Sequence, residues 1–138
     1  METLTTPQHL ASNTRSARWR PVAYWLATVA VAAELGVGGC WDIARLHTVE
    51  TLVTHLGYPS YFLVLLGTWK VLAAAAILVP RRALLKEWAY AGAFFVYTGA
   101  IISHLTKDYD LGELRLLIPL TILTVLSWAL RPASRRVH

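Results

Sequence analysis

Three ionisable residues, Glu34, Lys70 and His104, stand inside stretches that are otherwise apolar. Lys70 falls about halfway along the run from Tyr58 to Pro80 (YPSYFLVLLGTWKVLAAAAILVP), which at about 1.5 Å per helical residue places its charge near a bilayer midplane. A charge at that depth is costly, so it marks a functional site and calls for a partner. Glu34 lies about halfway through PVAYWLATVAVAAELGVGGCWDIAR. At a similar depth on an antiparallel neighbour, it forms with Lys70 either an ion pair or a neutral hydrogen-bonded pair, able to exchange a proton or only to fix packing. His104 adds an imidazole that titrates near neutrality, suited to shuttling protons or polarising a carbonyl; an interfacial histidine bonded to Thr98, Ser103 or backbone is the plainer alternative.

A second set of residues surrounds these three. Asp42, Glu113 and Arg115 project towards the outer ends of their spans, with His47 and His55 in the loop above, and together with His104 they outline a polar vestibule. Trp69 and Tyr97 are candidates to line a pocket for a planar ligand, Tyr97 because it shares a helical face with His104. Trp88 and Tyr90, near the opposite end, read as interfacial anchors. No pair among His47, His55, His104 and Asp42 has the spacing of a metal motif, so no metal site is assigned. The single cysteine, Cys40, rules out an intrachain disulfide.

The elements that must position these residues are membrane helices. Of 138 residues 56% are hydrophobic and 15% charged, and the mean hydropathy is +0.47, outside the balance of a soluble domain. Four windows approach the roughly 20 residues needed to span: about 21–44, 59–79, 87–105 and 113–130. Short connections make the expected fold all-α, an integral membrane antiparallel four-helix bundle in one domain over residues 21–131. Residues 1–20 are expected to form a flexible basic tail, too polar for a signal peptide, and residues 132–138 a second basic tail. A short interfacial helix ending at Gly57 is expected in the first loop, and Pro119 is a tolerated kink in the fourth span. On the second span Gly67, Lys70, Ala73, Ala74 and Ile77 make a stripe that should face protein, while Gly92 and Gly99 make a face for an intrachain or an interchain contact, leaving a homo-oligomer open.

The net charge of +5 follows topology. Arg15, Arg18, Arg20, Arg81, Arg82, Lys86, Arg131, Arg135 and Arg136, nine of the thirteen basic residues, fall on one side of a four-span arrangement. The expected orientation in the cell membrane has both termini cytoplasmic. No span carries a basic face interleaved with aromatics, so lipid headgroups rather than nucleic acid are the expected partner of these charges.

Several ordered motifs carry a family resemblance: His55-Leu56-Gly57-Tyr58-Pro59, Leu66-Gly67-Thr68-Trp69-Lys70, the stretch Leu85-Lys86-Glu87-Trp88-Ala89-Tyr90-Ala91-Gly92, Thr98-Gly99-Ala100 and Ser103-His104. From Tyr24 to Leu130 the chain resembles the DoxX-like family of small four-span membrane proteins, part of a superfamily named for a subunit of an archaeal thiosulfate:quinone oxidoreductase. The resemblance implies that a quinone and a redox partner protein are worth testing. The chain departs from a self-contained redox enzyme in lacking a thiol pair, a flavin motif and an intramembrane histidine pair. The leading expectation is therefore a protein that binds a lipophilic small molecule, a quinone being the candidate, with Lys70 on a ligand oxygen and Glu34 and His104 moving protons. The alternatives are a stand-alone membrane enzyme doing acid–base chemistry, isomerisation or cyclisation, on a lipophilic substrate, and a structural or transport protein.

Overall fold

The computed structural model describes residues 8–107 and 111–137, with side chains from Ala17 onwards. The described residues are helical, without strands: α1 (Gln8–Ile43), α2 (His47–His55), α3 (Tyr61–Leu78), α4 (Ala83–Lys107) and α5 (Leu111–Ala129), followed by a single 3-10 turn at Ala133–Arg135. The start of the expected N-terminal tail, residues 1–7, and the middle of the third loop, residues 108–110, lie outside the described residues.

Three helical segments are long and apolar enough to cross a membrane, Ala17–Ile43, Tyr61–Leu78 and Leu111–Ala129. The helix α4 has the length but not the hydropathy, because Trp88, Tyr90, Tyr97, Thr98, Ser103 and His104 dilute its apolar content. The expected start of the first span at Pro21 is also revised: α1 runs upstream to Gln8 and carries Pro21 inside it. The preceding stretch holds no glycine or proline and is rich in residues that tolerate helix, so the chain continues through a proline that removes one backbone donor. The first loop does contain a short helix, α2, and the turn after it uses Gly57 at φ 96°, a left-handed conformation that glycine adopts without a Cβ clash.

The four long helices close a ring of contacts: α1 packs on α3 and α5, and α4 packs on the same two. The α1 to α3 seam is the most extensive. It is set by two glycines, since a Cβ on Gly67 would lie 2.5 Å from the Gly39 carbonyl oxygen, and one on Gly39 would lie 2.9 Å from that of Gly67. Without side chains the backbones touch, and the small-residue stripe of α3 faces protein as its spacing predicts. Val31, Leu35, Ala74, Ile77, Ala93 and Tyr97 form the centre of the apolar core. The face of Gly92 and Gly99 is different: a Cβ on either meets nothing within 4 Å, so neither glycine serves a contact within the described chain.

The end of α3 is tied down by a residue expected in the loop. Lys86 lies within α4, fully buried, and its ammonium donates to the carbonyls of Ala76 (3.1 Å) and Ile77. Those carbonyls belong to the last turn of α3, where no intrahelical donor reaches, and a lysine there satisfies them and opposes the negative end of the helix dipole. At the other side of the same end, Arg131 is buried and pairs with Glu87 at 2.6 Å. Its Nε donates to the Trp128 carbonyl, and its guanidinium lies over the rings of Tyr90 and Trp128 at 5.2 and 5.6 Å. The C-terminal segment folds back, Arg136 donating to the Arg131 and Ala129 carbonyls and Arg135 lying 5.0 Å over Trp25. Tyr90 belongs to this buried network and not to the membrane interface: its hydroxyl shares Ser127 with Thr28, linking α4, α5 and α1.

Candidate functional site

Halfway along α3, Lys70 reaches across the Gly39–Gly67 seam to α1. Its Nζ lies 3.1 Å from Glu34 Oε1, to which it donates a hydrogen bond, and 3.3 Å from Asp42 Oδ2. Glu34 and Asp42 are eight residues apart on α1, so they lie about two turns apart on adjoining faces, one above and one below the ammonium. Gly38 sits midway between them. A Cβ there would come within 2.8 Å of Nζ and 2.9 Å of Glu34 Oε1, so the missing side chain is the space in which the lysine head lies. Acid, glycine and acid at four-residue spacing thus form a socket for one cation.

The fourth member is Tyr97 on α4, whose hydroxyl donates to Glu34 Oε2. Both oxygens of Glu34 are therefore engaged, one by an ammonium and one by a phenol, from two different helices. The side chains of Lys70 and Asp42 retain 11% and 6% of their exposure, and Glu34 retains 26%. Asp42 Oδ2 is buried and receives no hydrogen bond in spite of its proximity to Nζ. With all groups ionised, one ammonium faces two carboxylates, a net charge of −1 in a poorly solvated position. One proton on either carboxyl makes the cluster neutral. The chain Tyr97, Glu34, Lys70 and Asp42 is accordingly a place where a proton can be held or passed.

The cluster is not sealed. Lys70 is also the one charged residue lining an apolar groove of about 380 Å³ between α3 and α4, with Leu35, Trp69, Leu85, Trp88 and Ala93 among its walls. Trp69 is 62% and Trp88 73% exposed, so both present their rings at the groove mouth, where Trp88 does more than anchor at the interface. This is the size range of a small lipophilic ligand, with polarity confined to a single point.

The sequence-derived candidates divide into those the fold gathers and those it does not. Glu34 and Lys70 meet as their depths predict, and Asp42, assigned to an outer vestibule, joins them instead. Tyr97 is bonded to Glu34 within the core and is not a wall of the groove, whereas Trp69 is. His104 is buried on the same face of α4 as Tyr97, about two turns further on, and takes no part in these bonds. Its plainer partners are occupied elsewhere, Thr98 with the Phe94 carbonyl and Ser103 with the Gly99 carbonyl and the Tyr58 hydroxyl. Glu113 is half-buried and Arg115 exposed at the start of α5, and neither pairs with the cluster. Among the described residues no three of His, Cys, Asp and Glu gather as metal ligands. Gly38 reads from the sequence, with Gly36 and Gly39, as a glycine that loosens the helix or admits a neighbouring backbone, not as a member of the site. Its spacing from both acids was visible, but its meaning depends on a cation arriving from another helix.

The sequence model of the DoxX-like family matches residues 26–130, a stretch that contains the whole cluster and both walls of the groove. No curated protein and no solved structure is similar to the chain.

Proposed function

Given a chain that belongs to the DoxX-like family and is a small integral membrane protein, we propose that it binds a lipophilic small molecule carrying a polar oxygen in the groove between α3 and α4. The observation that carries this reading is the double position of Lys70, which is part of the buried ionic cluster and the only charged wall of an apolar groove. A ligand lying against Trp69 and Trp88 would place its oxygen on the ammonium, the best donor in reach. Glu34 and Tyr97 lie behind that ammonium and would supply or take the proton that changes at the oxygen. A quinone fits this chemistry, since its reduction takes up protons at its oxygens, and the electrons would come from a redox partner protein.

In this reading α4 is also a span, the third of an antiparallel four-helix bundle within residues 21–131. The nine basic residues that a four-span arrangement puts on one side support a reading with both termini in the cytoplasm. His104, Glu113 and Arg115 then belong to the opposite mouth, where a proton route to the cluster would open.

The test is native mass spectrometry with lipid extraction on protein purified in mild detergent, wild type beside Lys70→Ala. A copurifying quinone or other lipophile that is lost in the variant is the expected result, and retention of the ligand at wild-type level overturns the role of Lys70.

A second reading is favoured by the hydrogen-bonded series Tyr97, Glu34 and Lys70, which is sufficient for acid–base catalysis without electrons. It predicts isomerisation or cyclisation of a lipophilic substrate by purified protein with no electron acceptor, abolished in Glu34→Gln. Absence of turnover across a substrate panel removes it.

A further inference from the structure

At the far end from the Lys70 cluster, a second cavity of about 590 Å³ lies between α1 and the C-terminal segment, walled by Arg20, Pro21, Tyr24, Trp25, Arg131 and Arg136. Three of its ten lining residues are arginines, and a fourth arginine, Arg135, lies against Trp25 and donates to the Tyr24 hydroxyl at 3.4 Å. The nearest acid, Glu87, is already consumed: one oxygen accepts from Arg131 Nη2 and the other from Trp128 Nε1.

The second, independent observation is an unsatisfied donor. Arg131 is 4% exposed, and although its Nε and Nη2 are bonded, its Nη1 has no hydrogen-bond partner among the described residues. A buried guanidinium nitrogen without an acceptor is costly, and it leaves uncompensated donor capacity on a residue of the cavity wall. Arg20 makes no bond within the described chain, and Arg136 commits Nε and Nη2 to carbonyls, leaving Nη1 without an assigned acceptor.

We propose that this cavity binds the phosphate of an anionic lipid headgroup. Arginine matches phosphate geometry through paired N–H donors, and a phosphate in the cavity would accept from Arg20 and Arg136 and lie against the positive charge of Arg131. The lipid source follows from position. Trp19, Trp25, Trp88 and Trp128 are all exposed at this same end, an aromatic belt that matches headgroup depth. Pro21 and Trp25 give the cavity an apolar flank on which an acyl chain can leave towards the bilayer. The site is independent of the groove at Lys70.

The test is a native mass spectrometric titration of the full chain in detergent with phosphatidylglycerol, phosphatidylcholine and inorganic phosphate. The variant is Arg20→Gln, which breaks no bond among the described residues and leaves the Arg131–Glu87 pair and both carbonyl bonds of Arg136 intact. The expected result is phosphatidylglycerol binding about tenfold tighter than phosphatidylcholine, reduced to the phosphatidylcholine level in the variant while its thermal midpoint in detergent alone stays within that of wild type. Equal affinity for the two lipids overturns the proposal, as does undiminished binding by the variant. Displacement of the lipid by inorganic phosphate at similar affinity overturns the lipid source and makes the site one for a soluble phosphate. Lys70→Ala should leave this titration unchanged.

Discussion

The two buried ionic clusters of this protein are built in opposite ways. Around Arg131 a single guanidinium meets a single carboxylate, with a backbone carbonyl and two aromatic faces beside it and one nitrogen without an acceptor. Around Lys70 one ammonium meets two carboxylates, one of whose oxygens is left without a donor, and the same ammonium borders a groove. The first arrangement balances its charge and staples α4 to the end of α5. The second sets two acids against one base inside the helices, beside open space, which packing alone does not require.

The largest effect that would separate the clusters comes from removing Lys70 while leaving its acids. Lys70→Met should cost about 3 kcal/mol or more, because two carboxylates then remain unpaired in a poorly solvated site. Neutralising all three residues (Glu34→Gln, Asp42→Asn, Lys70→Met) should recover most of that stability in unfolding experiments in detergent, yet bind no ligand. If the triple variant still binds, the groove recognises its occupant without the cluster. Arg131→Met should cost less, about 1–2 kcal/mol, since Glu87 is partly exposed and water can take over its charge, and it should leave ligand binding at the groove unaltered. A binding loss there would mean that the two ends are coupled.

Smaller changes sharpen the comparison. Gly38→Ala inserts a Cβ where the Lys70 head lies, and we expect a cost of about 1–2 kcal/mol with weaker ligand binding, measured by thermal unfolding and by titration. Gly99→Ala, on a face where a Cβ meets nothing, should stay within about 1 kcal/mol of wild type and lean towards stabilisation. Tyr97→Phe removes one hydroxyl from Glu34 and should cost about 1 kcal/mol, with its larger signature in the pH dependence of binding or turnover.

What the sequence discloses and what it hides follow the same physics. Helix depth is a one-dimensional property, so the meeting of Glu34 and Lys70 could be read from residue counts. The recruitment of Asp42 could not, because whether an acid two turns away turns towards the cation depends on how closely α1 and α3 approach, and that is fixed by Gly39 and Gly67. Lys86 looked like a loop cation until its reach back to the carbonyls of α3 drew it inside. Tyr90 and Trp88 sit two residues apart and looked alike, yet a helix turns them to different sides, one into the Ser127 network and one to the groove.

The socket also has an order of assembly. Glu34 and Asp42 lie on a helix that leaves the ribosome before α3, and the lysine that pairs with them follows Glu34 by 36 residues. During insertion α1 therefore carries two acids with no counter-ion, a composition that resists transfer from the translocon into lipid by a few kcal/mol per charge. Release of α1 into the bilayer would wait for α3, and the two helices would enter as a pair already matched at Gly39 and Gly67.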